Sequence, residues 1–199
     1  MYTGQCKSTL NGHQAGITSL FCDRASLASS SLDTTIRWWD KHTGQCVSEL
    51  KGHEQYVKSV KFFEYALASA GADSIKLSDM RNGECIRTLE NSSNMNTLQF
   101  SENQIIAGSR DGDLKIFNLS SGEIEFEKKF ESTISCLEYD DDGKLFIVGD
   151  KMQPILYDPI ENKILRTFPG HLKEVSDLNF ENNILATASI DKSIKLWNL

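Results

Sequence analysis

The chain has 199 residues, of which 39% are hydrophobic and 25% charged, so it is long enough to bury a sizeable core and its composition excludes a disordered chain. A net charge of −7 at pH 7, with eight carboxylates between Glu123 and Asp142, excludes a nucleic-acid footprint, and no apolar run approaches the roughly 20 residues that cross a bilayer. Five cysteines, an odd number without metal-ligand spacing, and a start lacking a signal peptide's basic and apolar stretches point to reduced thiols in an intracellular protein, cytoplasmic or nuclear.

The chain opens with TGQCKSTLNGH, Thr3 to His13, and repeats it as TGQCVSELKGH, Thr43 to His53. With Cys6 as a marker, the matching residues are Cys46, Cys85, Ile124 and Ile164, at successive spacings of 40, 39, 39 and 40. A constant period of this size marks an array of supersecondary units. Each unit holds about four short strand patterns separated by turn residues and no helical periodicity, which means all-β. The units cover about 13–50, 53–90, 91–130, 131–168 and 171–199. Their first strands carry the apolar pairs Ile17 and Leu20, Val57 and Val60, Met95 and Leu98, Ile134 and Leu137, Val175 and Leu178. A spacing of three breaks strand alternation and predicts a β-bulge.

The last unit stops at Trp197-Asn198-Leu199 and lacks the outer strand that the others have. Thr3 to Leu10 reads as that strand. The expectation is therefore a single domain, 1–199, of five four-stranded units, its ring closed by the N-terminal strand (residues 1–10) pairing with Ser193 to Leu199. Stacking units around a ring covers both faces of each sheet, and closure removes exposed edges.

Ser29, His13 and Asp33, with Trp39, have the makings of a serine triad. The set recurs as Thr187, His171, Asp191 and Trp197, and in part as Ser69, His53 and Asp73, with Ser78 in the tryptophan's place. A hydrolase needs one such site, whereas a repeat protein needs one brace per unit. Ala107 and Phe117 in the third unit, and Val148 and Tyr157 in the fourth, cannot build the network, although Asp111 persists in the third. Those two units are expected to be softer. Glu174 is the lone acid expected at the channel mouth, which argues against paired glycosidase carboxylates. No metal site and no cofactor are expected, and the chain reads as no enzyme.

The recurring GH pairs at Gly12–His13, Gly52–His53 and Gly170–His171, and the closing WWD, LSD, IFN, LYD and LWN at 38–40, 77–79, 116–118, 156–158 and 196–198, resemble the WD-repeat β-propeller family over the whole chain. SSSLDTTIRWWD and TGQCVSELKGH are most similar to propellers of F-box adaptor proteins. The resemblance implies that the recurring sets are structural tetrads running from indole to hydroxyl to imidazole to carboxylate. It also places partner contacts one residue before and one after the first-strand anchor and just before the turn aspartate. Here those are Gly16, Thr18 and Leu32; Tyr56, Lys58 and Ala72; Asn94, Asn96 and Arg110; Thr133 and Ser135; Glu174, Ser176 and Ile190.

The implied function is a non-catalytic scaffold or adaptor, a monomeric ring that presents one face to protein or peptide partners and touches neither nucleic acid nor membrane. Two alternatives stand beside it. Ser78-Asp79-Met80-Arg81 is similar to a box through which some propellers meet a ubiquitin-ligase adaptor, and implies a substrate receptor. Five units also fit a fragment, or a partner-completed part, of a larger propeller.

Overall fold

The structure, a computed structural model, describes residues 4–90, 93–101, 103–139, 145–149 and 153–199. Its strands form five antiparallel sheets, each built from consecutive strands. The first holds β1 (Ile17–Cys22), β2 (Ser26–Ser31), β3 (Ile36–Asp40) and β4 (Cys46–Leu50). The second holds β5 (Val57–Phe63), β6 (Ala66–Gly71), β7 (Ser74–Asp79) and β8 (Glu84–Glu90). The third holds β9 (Met95–Phe100), β10 (Gln104–Ser109), β11 (Asp113–Asn118) and β12 (Ile124–Lys129). The fourth holds β13 (Ile134–Tyr139), β14 (Leu145–Gly149), β15 (Ile155–Asp158) and β16 (Lys163–Thr167). The fifth has three strands, β17 (Val175–Glu181), β18 (Ile184–Ser189) and β19 (Ile194–Asn198).

The turn chemistry explains the polar residue that closes each unit. Asp40 Oδ1 accepts the N–H groups of His42 and Thr43 at 2.7 and 2.9 Å. Asn118 serves Ser120 and Ser121 in the same way, and Asp158 serves Ile160 and Glu161. These side chains mimic a backbone turn and launch the outer strand. The left-handed residue that follows is Gly44, Gly83 or Gly122, and in the fourth sheet Asn162, a residue type that tolerates that conformation.

Each first strand carries the expected bulge. The register slips between Ile17 and Ser19, Val57 and Ser59, Ile134 and Cys136, and Val175 and Asp177, and β9 slips where Gly108 faces Thr97 but Ser109 faces Met95. The extra residues are Thr18, Lys58, Asn96, Ser135 and Ser176. A second bulge was not foreseen. Trp38 faces Ser48 while Trp39 faces Cys46, which leaves Val47 over, and Ile86, Glu125 and Leu165 are surplus in the same way.

The sheets stack through their apolar faces, and the first strands β1, β5, β9, β13 and β17 follow one another along the inner side. Val57, Val60, Met95, Leu98, Ile134, Leu137, Val175 and Leu178 are buried against neighbouring sheets, each such side chain contributing about 1.5–3 kcal/mol. Their counterparts in β1, Ile17 and Leu20, are 55% and 60% exposed. At the far end Ile194 and Leu196 of β19 are 74% and 71% exposed, although Ile36, Ile75 and Leu114, which match Ile194, are buried.

The closed ring of five four-stranded units is therefore corrected. Among the described residues, 4–16 form no strand, β19 pairs with β18 alone, and both end faces stay open. Thr3, at the start of the expected closing strand, lies outside the described residues. Sequence register wraps from the last unit to the first, but the angle between stacked sheets is set by side-chain packing, and here it leaves an arc.

Candidate protein-docking face and the tetrads beneath it

In the first sheet the Trp39 indole N–H donates to Ser29 Oγ at 2.8 Å, Ser29 meets His13 Nε2 at 2.8 Å, and His13 Nδ1 meets Asp33 Oδ2 at 2.9 Å. The fifth sheet repeats the chain through Trp197, Thr187, His171 and Asp191 at 3.0, 2.8 and 2.9 Å. In the second, His53 bridges Ser69 and Asp73 at 2.8 and 2.9 Å, and Ser69 has no indole partner because Ser78 stands there. A neutral imidazole protonated on Nδ1 satisfies every donor and acceptor in turn.

Electrostatics agree with that assignment. Burial opposes ionisation of Asp33, but hydrogen bonds from Thr35, the Gln14 N–H and His13 hold its carboxyl well below the usual range. Ser193, then the Leu172 N–H and His171, do the same for Asp191. Burial pushes the His53 imidazole below its ordinary value, against the opposing pull of Asp73. Each carboxylate also accepts the N–H just after its histidine, Gln14 at 2.8, Glu54 at 3.3 and Leu172 at 2.9 Å, so the tetrads pin the loops that reach the face.

The third and fourth sheets solve the problem differently. Asp111, expected to persist there, is exposed, and the network passes to Asp113, which accepts from Ser93 Oγ at 2.5 Å and pairs with Lys129 at 2.9 Å. The twenty-residue spacing of His13 to Asp33, His53 to Asp73 and His171 to Asp191 is kept from Ser93 to Asp113, and that spacing was the signal available in the sequence. In the fourth sheet Phe130 and Tyr157 meet edge to face at 5.4 Å, an aromatic pair where the first and fifth sheets set His against Trp at 6.5 Å. The side chain of Val148, and residues 150–152 of the GDKMQP turn, lie outside the described residues.

Four main-chain bonds join candidate face residues in pairs, each within its own sheet. The N–H of Leu32 donates to Gly16 O at 2.9 Å, that of Ala72 to Tyr56 O at 3.3 Å, that of Arg110 to Asn94 O at 2.8 Å, and that of Ile190 to Glu174 O at 3.0 Å. Thr133 Oγ1 donates to Arg110 O at 2.6 Å and ties the fourth sheet to the third. Leu32, Arg110, Glu174 and Ile190 are exposed, and Tyr56 is half-buried with its hydroxyl accepting from Asn94.

The bulge residues behave otherwise. Thr18 Oγ1 donates to Val57 O at 2.5 Å, the Lys58 ammonium reaches Asn96 Oδ1, and Asn96 Nδ2 donates to Ile134 O at 3.2 Å. The first three bulges each re-aim a polar side chain onto the next sheet, forming a seam. Ser176 turns back onto Ala188 O at 3.3 Å, and Ser135 Oγ is buried without a protein partner.

The inner strands line a cavity of about 650 Å³. Glu174 is not the acid there; Glu138 and Asp177 are. Burial pushes the Glu138 carboxyl up, with Lys61 opposing it. Among the described residues no cluster of three or more His, Cys, Asp or Glu could hold a metal ion, and no helix is long and apolar enough to cross a membrane. Arg81, the candidate ligase contact, is exposed and also holds its own turn: its guanidinium grips Asp79, pulling that carboxyl down to about 2, and lies 5.3 Å from the Tyr65 ring centroid.

An all-β array of stacked sheets with recurring His-Asp braces defines a protein of β-propeller type. The model of the WD domain, G-beta repeat, matches residues 4–40, 44–76, 83–118 and 162–198, more than half of the chain, which therefore belongs to the WD-repeat family. The stretch without a match, 119–161, contains most of the fourth sheet, where the aromatic pair replaces the brace. Mitochondrial division protein 1 of Pyricularia oryzae is 32% identical over 64% of this chain, and that of Neurospora crassa 29% over 64%. The chain spans 19% of the length of each. The crystal structure of the computationally designed Ika8 protein superposes with a TM-score of 0.84 at 26% identity, over 95% of this chain and 60% of that one.

Proposed function

We propose that the chain is a non-catalytic protein-interaction scaffold whose docking face is formed by Tyr56 and Arg110 at its centre, with Leu32, Glu174 and Ile190 around them. The observation that supports this reading is that four of the repeat-position pairs each share a main-chain hydrogen bond at the equivalent place in their own sheets. Leu32 and Ile190, at 53% and 54% exposure, add apolar area without thinning the core. Tyrosine and arginine supply large anchors of the kind that dominate binding energy. The exposed guanidinium of Arg110 suits a partner segment carrying a carboxylate or phosphate.

Protein contact is also the use most consistent with the family. The name of the relatives concerns mitochondrial division, and a match over a fifth of their length does not assign that process here. The test is quantitative affinity capture with the wild-type chain and with Tyr56→Ala/Arg110→Ala. Loss of a defined set of captured proteins at unchanged melting temperature supports the face. An unchanged set moves the search to the rim, and recovery of ubiquitin-ligase subunits selects the receptor alternative.

A further inference from the structure

We propose that a cleft between the second and third sheets, at the far end of β5 from Tyr56, is a second docking site, and that it takes a protein segment presenting a large apolar side chain beside a lysine or arginine. This goes beyond the docking-face reading, and its test leaves that face intact.

The cleft encloses about 340 Å³, within the range of ligand pockets, with Phe63, Tyr65, Arg81 and Ile86 as walls and Phe100 and Leu119 as floor. The floor residues pack on the core shared by the two sheets, whereas Phe63, Tyr65 and Ile86 are 45%, 59% and 56% exposed.

The fold does not require apolar side chains at these places. Phe63 closes a two-residue hairpin against Ala66 as Glu181 does against Ile184, and Asp23 and Ser101 hold the same place in the first and third sheets, their N–H groups donating to Ser26 O and Gln104 O. The Tyr65 carbonyl accepts the Met80 N–H at 2.8 Å, a bond that Ala25, Asn103 and Asn183 accept in their own sheets. Ile86 is the surplus residue of its outer-strand bulge, where the third sheet has Glu125. The third sheet thus builds the same hairpin and bulge with Ser101, Asn103 and Glu125. An apolar cluster left in water where a polar set suffices marks a contact with another molecule.

The walls are braced before any partner arrives. Phe63 stacks on Phe100 with centroids 6.4 Å apart and planes 20° from parallel. The Arg81 guanidinium lies 5.3 Å from the Tyr65 centroid while its Nε donates to Asp79 Oδ1 at 2.9 Å, so the group beside the ring is itself fixed. Glu64, between the two aromatic residues, has φ of 52°, the left-handed conformation that Asn182 takes in the fifth sheet and that glutamate adopts rarely. Ordered walls lose less entropy on binding.

Charge selects the partner. Arg81 is the one cation among the described residues that line the cleft, and Asp79 neutralises it. Glu64 is exposed and makes no side-chain hydrogen bond or ion pair among the described residues, and Glu84, across the ladder from Asp79, adds a second carboxylate. A cationic residue next to the apolar anchor complements this rim, and an acidic one meets like charge.

The probe is a displayed library of random linear peptides, depleted on the full chain carrying Phe63→Ser, Tyr65→Asn and Ile86→Glu and then selected on the unmodified chain. That triple change installs the third sheet's own residues, so the melting temperature is expected to hold while the affinity of labelled selected peptides falls at least about tenfold, the scale of losing anchor residues. The selected peptides are expected to set an aromatic or aliphatic residue beside Lys or Arg, to bind more weakly to Glu64→Lys, and to bind Tyr56→Ala/Arg110→Ala unchanged. If the triple change lowers the melting temperature, Glu64→Lys decides alone, and unchanged affinity there overturns the proposal. So does a selection that yields no binders or acidic ones, or a solution mass that rises above 22.3 kDa with concentration and is restored by the triple change, which would assign the cleft to a second copy.

Discussion

The Trp39 indole N–H rests on Ser29 Oγ at 2.8 Å, whereas Ser69, the matching hydroxyl of the second sheet, has no indole above it. The two serines are equally buried and hold equivalent histidines, so they form an internal control. Ser29→Ala orphans both the indole N–H and His13 Nε2, and Ser69→Ala orphans His53 Nε2 and removes a long 3.4 Å contact to Lys76 O, a carbonyl of the strand ladder. At about 1–3 kcal/mol for each buried group left without a partner, Ser29→Ala is expected to destabilise more than Ser69→Ala. Urea unfolding of the two variants measures the difference, and equal losses would contradict the directional chain.

His53 gives the fold a pH dependence of known sign. Its folded pKa lies below the ordinary imidazole value of 6.5, because burial disfavours the charged ring, so between the two values the unfolded chain binds a proton that the folded chain refuses. Stability is then complete above pH 6.5 and falls as the pH is lowered toward the folded pKa. Unfolding titrations at pH 7.5, 6.5 and 5.5 are expected to show that decline, with a shallower slope in His53→Gln. The depressed pKa values of Asp33 and Asp191 act only at lower pH, where the unfolded carboxylates begin to protonate.

The seam predicts a loss unrelated to the tetrads. Asn96 receives the Lys58 ammonium and donates to Ile134 O, so it joins the second, third and fourth sheets. Asn96→Ala removes both bonds and is expected to cost about 1–2 kcal/mol. Combined with Lys58→Ala it is expected to cost less than the sum of the two single changes, since the residues share one bond. Full additivity in a double-mutant cycle would dismiss the seam.

Much of this was legible in the residues. The spacing of three between Ile17 and Leu20 called for a bulge because a strand cannot place both inward otherwise, and all five first strands have one. Gly16 with Leu32, and Asn94 with Arg110, were grouped by repeat position alone, and each pair shares a main-chain bond. The outer-strand bulges at Val47 and Ile86 were not legible, because those residues are apolar yet exposed, and an alternation count reads them as core. Asp113 was missed because Ser93 took the place of a histidine and both partners moved along the chain together. Closure was misread for a different reason: periodicity along the chain carries no information about the angle between packed sheets.

That angle also changes which parts should be soft. The sequence pointed to the third and fourth sheets, which lack full tetrads, but the third is buried on both faces, and apolar burial of several side chains outweighs one hydrogen-bond network.

Amide hydrogen exchange of the dilute monomer, followed residue by residue, tests the open array most directly. The account predicts fast exchange in residues 5–10 and along β19, and slow exchange in β7 and β11, which are paired on both sides. If residues 5–10 and β19 were as strongly protected as β7 in the monomer, the ends would be joined within one molecule and the account would be contradicted.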